Sequence, residues 1–589
     1  MIGVFSLSAN YTNFRQCSSI RVNSRNSRIK LNSFVARGNG YFPAMPQAEI
    51  APAKKSSLLQ RAFVACVICL AVFQFSENTA DIDLWGHVIF GQEFLHTGHL
   101  ARTDPYSWTA NGQPWINHEI IAEVALALAH RALGGAGLLL LKMAVGLLTF
   151  GIALSIARKE MSPGARLVAW AFGALAVVEI SYGFAARPQI FTALALAAEL
   201  WILAAIHRGQ RRWAFALPLL FVVWINTHGG ALAGLVLLFV AAIATAAQSI
   251  CRRLAPKFLR PRIASPVPPG VPAWLAISCA ASAVALLINP YGFALIRWLV
   301  ESVMWLRPQI AEWNPVKFSG EHAAFFLCVA IAAAGFILSR RPVALWELAV
   351  TGALGFMAFR SARHTPLFCI AALALVPPHL AAVLERFKDS FARLANLFRN
   401  VTVQTISTGL LAAASLGIIF AAGTLHKERA WTMEIPRKEY PVAALEFIKQ
   451  HGLHGNLLVF FDWGEECIWE LPDSRVSIDG RLDTCYPRDV FDAHWNFYNA
   501  EMSRQPALNL AQADFALLPP NMAGAVMLWK QRGWQPVFSD DTAVVLVKDL
   551  KQFPQLAGLQ ATVHGSAEST KGRAAFPDAP SARITGRSK

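Results

Sequence analysis

The sequence predicts an α-helical polytopic membrane protein with a carboxyl-terminal α/β domain. Three observations carry this prediction. Of the 589 residues, 55% are hydrophobic and only 15% are charged. Long apolar runs recur between residues 58 and 422. From residue 424 the pattern changes to alternating short helices and strands. This composition is too apolar for a soluble protein of several domains, so most of the chain is expected to lie in a membrane.

The apolar runs set the number of expected membrane spans. Each is long enough to cross about 30 Å of hydrocarbon as a helix. About eleven satisfy this criterion. They are 58–76, 136–157, 167–184, 190–206, 213–225, 229–249, 272–288, 322–339, 343–359, 365–383 and 403–422. The fifth is short, and with the sixth it forms either two spans or a hairpin that bends around Asn226 and Gly229.

Basic residues set the expected orientation. If the amino terminus is cytoplasmic, the inside loops hold most of the arginines and lysines, in clusters at 158–166, 208–212, 252–262, 340–341 and 386–399. The positive-inside rule then places the long loop 77–135 and the carboxyl-terminal domain outside the cell (inner) membrane. The net charge of +16 is accordingly a signal of topology and of contact with membrane lipids, and we do not expect nucleic-acid binding.

The ends of the chain differ from its middle. Residues 1–57 are rich in Ser, Asn and Arg and predict a disordered basic tail, with a targeting peptide as the alternative. Residues 561–589 also predict a disordered tail. Between residues 58 and 422 lies the multipass domain, and residues 424–560 form the external α/β domain.

Short helices and strands alternate in the external domain. The expected strands are NLLVFF, SRVSIDGR, DFALLPP, WQPVFS and TAVVLVKD, and the expected helices are PVAALEFIKQHG, 487–498 and 520–532. Cys467 and Cys485 are either free or joined by a disulfide. Asp479 and Arg481 form either a structural ion pair or a substrate contact.

Nearly all polar motifs of the membrane region fall on the predicted outer side. Ionisable groups near hydrocarbon survive where they face water, partners or substrate, so one-sided clustering predicts a site that opens outward. Asp81 and Asp83 lie at the outer end of the first span. Each could cap the following helix. His87 lies one turn after Asp83, so the two either form a hydrogen-bonded pair or share a divalent cation.

The other candidates have similar alternatives. His118 and Glu119 open a helix. They are either structural residues of its first turn, or one of them acts as a general base or a metal ligand. Arg187 lies at a helix boundary, where it reaches either lipid headgroups or a substrate phosphate. Further candidates for substrate binding are Gln189, Asn226, His228, Arg360, Arg363 and His364.

A family resemblance rests on an ordered series of motifs. The series is DIDLWGH, TDPYSWTANGQPWINHE, ARPQIFT, WINTHGG, NPYG, AEWNP, RSARHTPLF and SIDGRLDTCYP. It resembles bacterial multipass glycosyltransferases of the GT-C fold, similar to glycosyltransferase family 39, over roughly residues 60 to 550. Members of that fold class have an acidic motif in the first external loop, which matches Asp81 and Asp83.

The resemblance implies a polyprenyl-phosphate sugar donor and a glycan, lipid or protein acceptor. It further implies that Asp83 acts as the base, with Asp81 assisting or binding a cation, and that Arg187, Arg360 and Arg363 stabilise the departing phosphate. The rival hypothesis is a non-catalytic membrane protein, either a transporter or a subunit that binds or assembles glycans. Lys142 and Glu199, which the span prediction places in mid-membrane, are the residues that such a transporter would need.

Overall fold

The computed structural model describes residues 57–254, 266–305, 307–390, 400–425, 431–530, 533–556 and 570–580. Residues 1–56 of the predicted amino-terminal tail lie outside this part of the chain. Helices dominate up to Leu425. They are Leu58–Phe75 (α1), Leu84–Thr97 (α2), Ile120–Lys159 (α3), Arg166–Ile180 (α4), Gln189–His207 (α5), Ala216–Ile225 (α6), Ala231–Leu254 (α7), Val271–Ala285 (α8), Phe293–Met304 (α9), Ala323–Leu338 (α10), Leu345–Arg360 (α11), Thr365–Leu375 (α12), Pro377–Arg386 (α13) and Val401–Leu425 (α14).

Five of the described helices are long and apolar enough to cross a membrane: α1, α3, α5, α7 and α14. A sixth span is added if α12 and α13, which are bent by 53°, are counted together. Helices α8 and α10 are apolar but shorter. The structure thus supports a multipass protein with five or six such helices, and the count of about eleven stays a prediction.

Of the two alternatives for this region, the break around Asn226 and Gly229 is present, between α6 and α7. Helix α6 has only 10 residues, which rise about 15 Å and cover half the hydrocarbon thickness. A 3-10 turn at Arg211–Phe215 precedes it. The predicted span 213–225 is therefore a short helix that ends at an irregular segment.

The helices pack around α12, whose residues from Phe368 to Leu375 are all buried. A helix that is apolar on every side belongs in the interior of a bundle. Helix α14 differs, because none of its apolar window is buried inside the protein. It packs along α1, and its other faces present apolar side chains suited to lipid.

Helix α3 changes direction near the start of the predicted span 136–157. Leu133 and Gly134 leave the helical conformation, and Gly134 has a φ of +56°, which an L-residue rarely adopts. The kink separates an amino-terminal segment, which the sequence assigns to the external loop, from the apolar segment. Lys142, on the apolar side, donates through Nζ to the backbone oxygen of Glu77 at the end of α1.

The carboxyl-terminal domain contains the five strands that the sequence predicts. They are Gly455–Val459 (β2), Ser474–Val476 (β3), Phe515–Leu518 (β4), Gln535–Ser539 (β5) and Val544–Val547 (β6), in the order β3-β2-β4-β6-β5. Strands β3, β2 and β4 are parallel, whereas β6 is antiparallel to β4 and β5. The domain's helices are Val442–Gln450 (α15), Gly464–Glu470 (α16), Arg488–Tyr498 (α17) and Ala523–Lys530 (α18).

The sheet has an apolar cluster on each face, because successive strand residues point to opposite sides. Leu458 and Ala516 belong to one cluster, with Cys485. Leu457 and Phe515 belong to the other, with Cys467. The two cysteines are separate buried thiols in this structure, and their location in different clusters explains why they do not form the disulfide that the sequence left open.

Within residues 570–580, a second, smaller sheet takes the place of the disordered tail predicted for residues 561–589, of which 561–569 and 581–589 lie outside the described part of the chain. Glu434–Pro436 (β1) pairs antiparallel with Arg573–Ala575 (β7). Phe576 follows β7 and is buried. We call residues 570–580 the strap. The prediction failed here because a strand held by backbone hydrogen bonds and one aromatic anchor has no apolar run to reveal it.

Candidate active site

The acidic loop between α1 and α2 is fixed by the carboxyl-terminal domain. The Ala80 amide donates to the Glu434 backbone oxygen at 2.7 Å, and the Glu434 amide donates to the Asn78 oxygen at 2.8 Å. Tyr440 Oη donates to the Ala80 oxygen at 2.8 Å. The start of the carboxyl-terminal domain therefore holds the backbone directly before Asp81.

The capping interpretation is contradicted for Asp83, whereas Asp81 makes a capping-type bond in the turn that leads into α2. Asp83 occupies the position before α2, but its side chain makes no cap hydrogen bond and its backbone is in the right-handed helical region. N-cap residues typically have extended backbone. Asp81 Oδ1 accepts the Asp83 amide, two residues on, at 3.1 Å, as the oxygen of a capping Asp does. Both carboxylates also contact one basic side chain from outside this loop.

That partner is Arg187, in the turn before α5. Its Nε lies 3.1 Å from Asp81 Oδ1, and its Nη1 lies 3.0 Å from Asp83 Oδ2. Its Nη2 lies 3.3 Å from Glu312 Oε2. We call Arg187 and these three carboxylates the Arg187 cluster. The Gln189 amide also reaches Arg187 Nε and Nη2 at 3.0 Å when its oxygen faces them.

Arg363 extends the cluster through Glu312. Its Nη1 lies 4.0 Å from Glu312 Oε1. Its guanidinium also lies over the Trp313 ring, 4.2 Å from the ring centroid. Stacking on an aromatic face holds a guanidinium while leaving its N–H edges available. A phosphate group approaching Glu312 would thus meet two arginines.

A second group of polar side chains surrounds Glu119. Glu119 Oε1 lies 3.8 Å from His118 Nε2 and 3.8 Å from His228 Nε2. His228 Nδ1 is 2.8 Å from Thr192 Oγ1, which fixes the ring. Glu119 is within electrostatic reach of Asp83 and Arg187. The two groups therefore belong to one region of the molecule.

Burial changes the acidity of the groups in this region. Burial and the charge of Asp81 raise the pKa of Asp83 to about 6, although Arg187 opposes the rise. Burial raises the pKa of Glu119 to about 7, and it lowers the pKa of His118 to about 4. For Arg187, burial lowers the pKa, but Asp81 and Asp83 raise it to a net value above the ordinary one. At neutral pH, Asp83 is ionised and can accept a proton.

Three residues that the sequence predicts to bind substrate make none of the contacts described above for the Arg187 cluster or for Glu119. Asn226 Nδ2 donates to the backbone oxygens of Val222 and Ile288, each at 2.8 Å, so its side chain holds the helix break. Arg360 is exposed at the end of α11. His364 lies beside Arg363 in a 3-10 turn, and no hydrogen-bond partner for its Nδ1 lies within the described part of the chain.

The carboxyl-terminal domain contributes residues that the sequence interpretation missed. Glu465, in the first turn of α16, is buried and accepts the Gly86 amide through Oε2 at 3.0 Å. A Cβ atom at Gly480 would overlap the Asp83 carboxylate and lie 2.9 Å from Glu465 Oε1. In the sequence, Glu465 is one acid in the polar run DWGEE, and only its buried contact with α2 distinguishes it.

Asp479 and Arg481 form a buried ion pair. Arg481 Nη2 lies 2.7 Å from Asp479 Oδ2, and its Nη1 lies 2.7 Å from Asp104 Oδ1 in the external loop. Its guanidinium also lies 4.8 Å from the centroid of the Trp115 ring. The SIDGR motif thus forms the structural ion pair of the first alternative, and it also joins the carboxyl-terminal domain to the loop 77–135.

The arrangement does not fit the cation site suggested for Asp83 and His87. Asp83 faces Arg187, and His87 Nδ1 lies 3.9 Å from Glu123 Oε1. Within the described residues, no three His, Cys, Asp or Glu side chains are grouped to hold a metal ion. We therefore derive no chemical step through a metal.

Comparison with known proteins gives the fold. The sequence matches no protein-family model and no curated protein. Solved structures do match. The archaeal oligosaccharyltransferase AglB from Archaeoglobus fulgidus, in complex with an inhibitory peptide and a dolichol-phosphate, has a TM-score of 0.51 and 11% identity over 85% of this chain and 75% of AglB. The apo form of the Archaeoglobus fulgidus oligosaccharyltransferase has a TM-score of 0.50 and 12% identity over 78% of this chain and 69% of that protein.

This likeness establishes the fold. AglB is a GT-C fold glycosyltransferase, and its fold is that of a multipass membrane protein with a carboxyl-terminal soluble domain. The architecture inferred from the sequence motifs is thereby confirmed at this level. At 11–12% identity, the likeness carries neither residue roles nor substrates.

Proposed function

We propose that this protein is a membrane glycosyltransferase that transfers a sugar from a polyprenyl-phosphate-linked donor to an acceptor on the outer face of the cell membrane. The observation that carries the proposal is the Arg187 cluster. One guanidinium bridges the acidic pair of the first external loop and Glu312. This combines a carboxylate base and a phosphate-binding cation in one site, within a GT-C fold.

The two components match the needs of glycosyl transfer. An acceptor hydroxyl must lose its proton as the new bond forms, and a carboxylate with a pKa near 6 is both ionised and basic at neutral pH. The phosphate that leaves the sugar gains charge, which Arg187 and Arg363 can stabilise. Asp83 is the proposed base and Asp81 its partner in holding Arg187.

The remaining residues of the site suit substrate orientation. Glu119 with His118 and His228 presents a carboxylate and imidazoles to a sugar or acceptor. The Gln189 side-chain oxygen accepts hydrogen bonds from Arg187 and holds its guanidinium in place. Because Asn226 supports the helix break, we assign it an indirect role. We propose that Arg360 and His364, together with Arg363, line the route by which the donor phosphate enters the site.

The donor class is supported by the structure of AglB, which contains dolichol-phosphate, a polyprenyl phosphate. The same structure contains an inhibitory peptide, so a peptide is one acceptor to test beside glycans and lipids. Membership of the bacterial group similar to glycosyltransferase family 39 remains part of this proposal.

The test measures sugar transfer from polyprenyl-phosphate donors in membranes that contain the full chain. Asp83→Asn should lower the rate at least a hundredfold, because general-base catalysis typically contributes 10²- to 10⁴-fold. Arg187→Lys keeps the charge but loses the fork that contacts three carboxylates, and Asp81→Asn removes one of those contacts. Both should retain partial activity.

Asp541→Asn, which changes an exposed acid of the external domain, is the matched control. Undiminished transfer in both Asp81→Asn and Asp83→Asn would refute the enzyme assignment. A requirement for Lys142 and Glu199 in solute uptake, with no requirement for the two acids, would instead support the non-catalytic transporter.

A further inference from the structure

Helix α2 begins at the acidic loop, so its first turn has amide groups without partners inside the helix. An N-cap side chain usually accepts one of these donors. Asp83 stands at that position but makes no such bond. The Gly86 amide, three residues into the helix, is instead accepted by Glu465 Oε2 at 3.0 Å. The acceptor therefore comes from the external domain.

Two glycines leave the space that the Glu465 carboxyl group occupies beside α2. A Cβ atom at Gly86 would overlap the Glu465 carboxyl, with Oε1 only 2.8 Å away. A Cβ atom at Gly480 would overlap Asp83 and crowd Glu465. Glycines at both positions thus allow Glu465 and Asp83 to lie side by side at the start of α2.

We propose that Glu465 is a positioning residue that caps α2 from the external domain and thereby leaves the Asp83 carboxylate available to Arg187 and to substrate. The inference deepens the proposed function, because it assigns a role within the same site. Without Glu465, Asp83 stands at the N-cap position, from which a carboxylate can accept the amide of the third helical residue, Gly86, and doing so would pull Asp83 away from Arg187.

The acceptor role of Glu465 does not depend on whether its carboxyl group is ionised. Burial raises its pKa well above the ordinary value, and the charges of Asp83 and Asp479 add to the rise. A neutral carboxyl group still accepts an amide through its carbonyl oxygen. Glutamine reproduces that acceptor, so Glu465→Gln should preserve the cap and Glu465→Ala should remove it.

The first experiment measures hydrogen exchange of the amides in residues 84–87 of the full-length protein in detergent. Asp83→Ala alone should leave their exchange unchanged, because Asp83 is not the cap. Adding Glu465→Ala should accelerate it about fivefold or more, as loss of a helix cap does. Adding Glu465→Gln to Asp83→Ala should keep the wild-type rate.

The second experiment measures transfer with Asp83 intact. Glu465→Ala should lower the rate at least tenfold, and Glu465→Gln should restore most of it. Glu470→Ala is the matched control, because Glu470 lies in the same helix and pairs with Lys449 at 2.6 Å; it should have wild-type activity.

The outcomes separate this inference from the proposed function. Faster exchange in Asp83→Ala alone would overturn the inference, and so would unchanged exchange in the double variant with Glu465→Ala. Equal loss of transfer in Glu465→Gln and Glu465→Ala would also overturn it, because the acceptor would not be the cause. If the wild type transfers no sugar but exchange follows the expected pattern, the proposed function fails and the positioning role is supported.

Discussion

At the scale of single residues, the main feature of the site is that three carboxylates share one arginine. Arg187 contacts three carboxylates, so its one positive charge does not neutralise them fully. An Arg fork matches planar oxyanions closely. A phosphate group would therefore compete with Asp81, Asp83 and Glu312 for the same N–H groups, and its arrival would release a carboxylate as a base.

This competition predicts the pH dependence of transfer. Asp83 must be ionised to take a proton, and its pKa is about 6, so the rate should fall about tenfold per pH unit below pH 6. Asp81→Asn removes a charge that raises the pKa of Asp83, so the acid limb of its residual activity should move to lower pH. The measurement is a pH profile of transfer from pH 4.5 to 8.

Asp541→Asn should leave the position of the limb unchanged. A wild-type rate that is constant between pH 5 and 7 would contradict the role of Asp83. An acid limb that stays in place in Asp81→Asn would assign the titration to another group, for which Glu119 is the nearest alternative.

At the scale of elements, the sequence predicts what local patterns encode. Strands β2 to β6 were predicted because their apolar runs are bounded by turns. The sequence offers the Asn226 break as an alternative because the apolar run before it is short and the WINTHGG motif combines polar residues with two glycines. Glu465 and the strap could not be predicted, because their roles depend on partners more than 100 residues away, such as Gly86 for Glu465.

The strap illustrates how one side chain can hold an element. Phe576 packs against Trp85 of α2 and Trp469 of α16, with ring centroids at 5.1 and 5.7 Å. His130 Nε2 adds a hydrogen-bond contact to the Pro577 oxygen at 2.9 Å. The strap therefore joins the external domain to the helix that follows the acidic loop.

Phe576→Ala should detach the strap, because removing a buried Phe costs about 3–5 kcal/mol. We expect a lower melting temperature of the purified protein and faster proteolysis within residues 570–580. Lys571→Ala, at an exposed position of the same segment, should change neither. Identical melting curves for Phe576→Ala and the wild type would show that the strap contributes no stability.

At the scale of the whole molecule, the site depends on two parts of the chain. The membrane region supplies Arg187 and Glu312, and the external domain positions the acidic loop through Glu434 and Glu465. Local sequence could suggest the acids and arginines because their motifs sit at helix ends. It could not show which of them meet, since that depends on how the domain docks.

This architecture requires the external domain and the Arg187 cluster to share one side of the membrane. Labelling with a membrane-impermeant maleimide tests that topology in intact cells. The native Cys251, exposed near the end of α7, lies on the predicted cytoplasmic side and should react only after permeabilisation. Asn521→Cys, exposed in the carboxyl-terminal domain, should react at once; Cys17 is replaced by Ser in both proteins, and Cys251 is also replaced by Ser in the Asn521→Cys protein. Immediate labelling of Cys251 together with protection of Asn521→Cys would invert the topology, and it would place the site on the cytoplasmic face, where an outward transfer reaction is impossible.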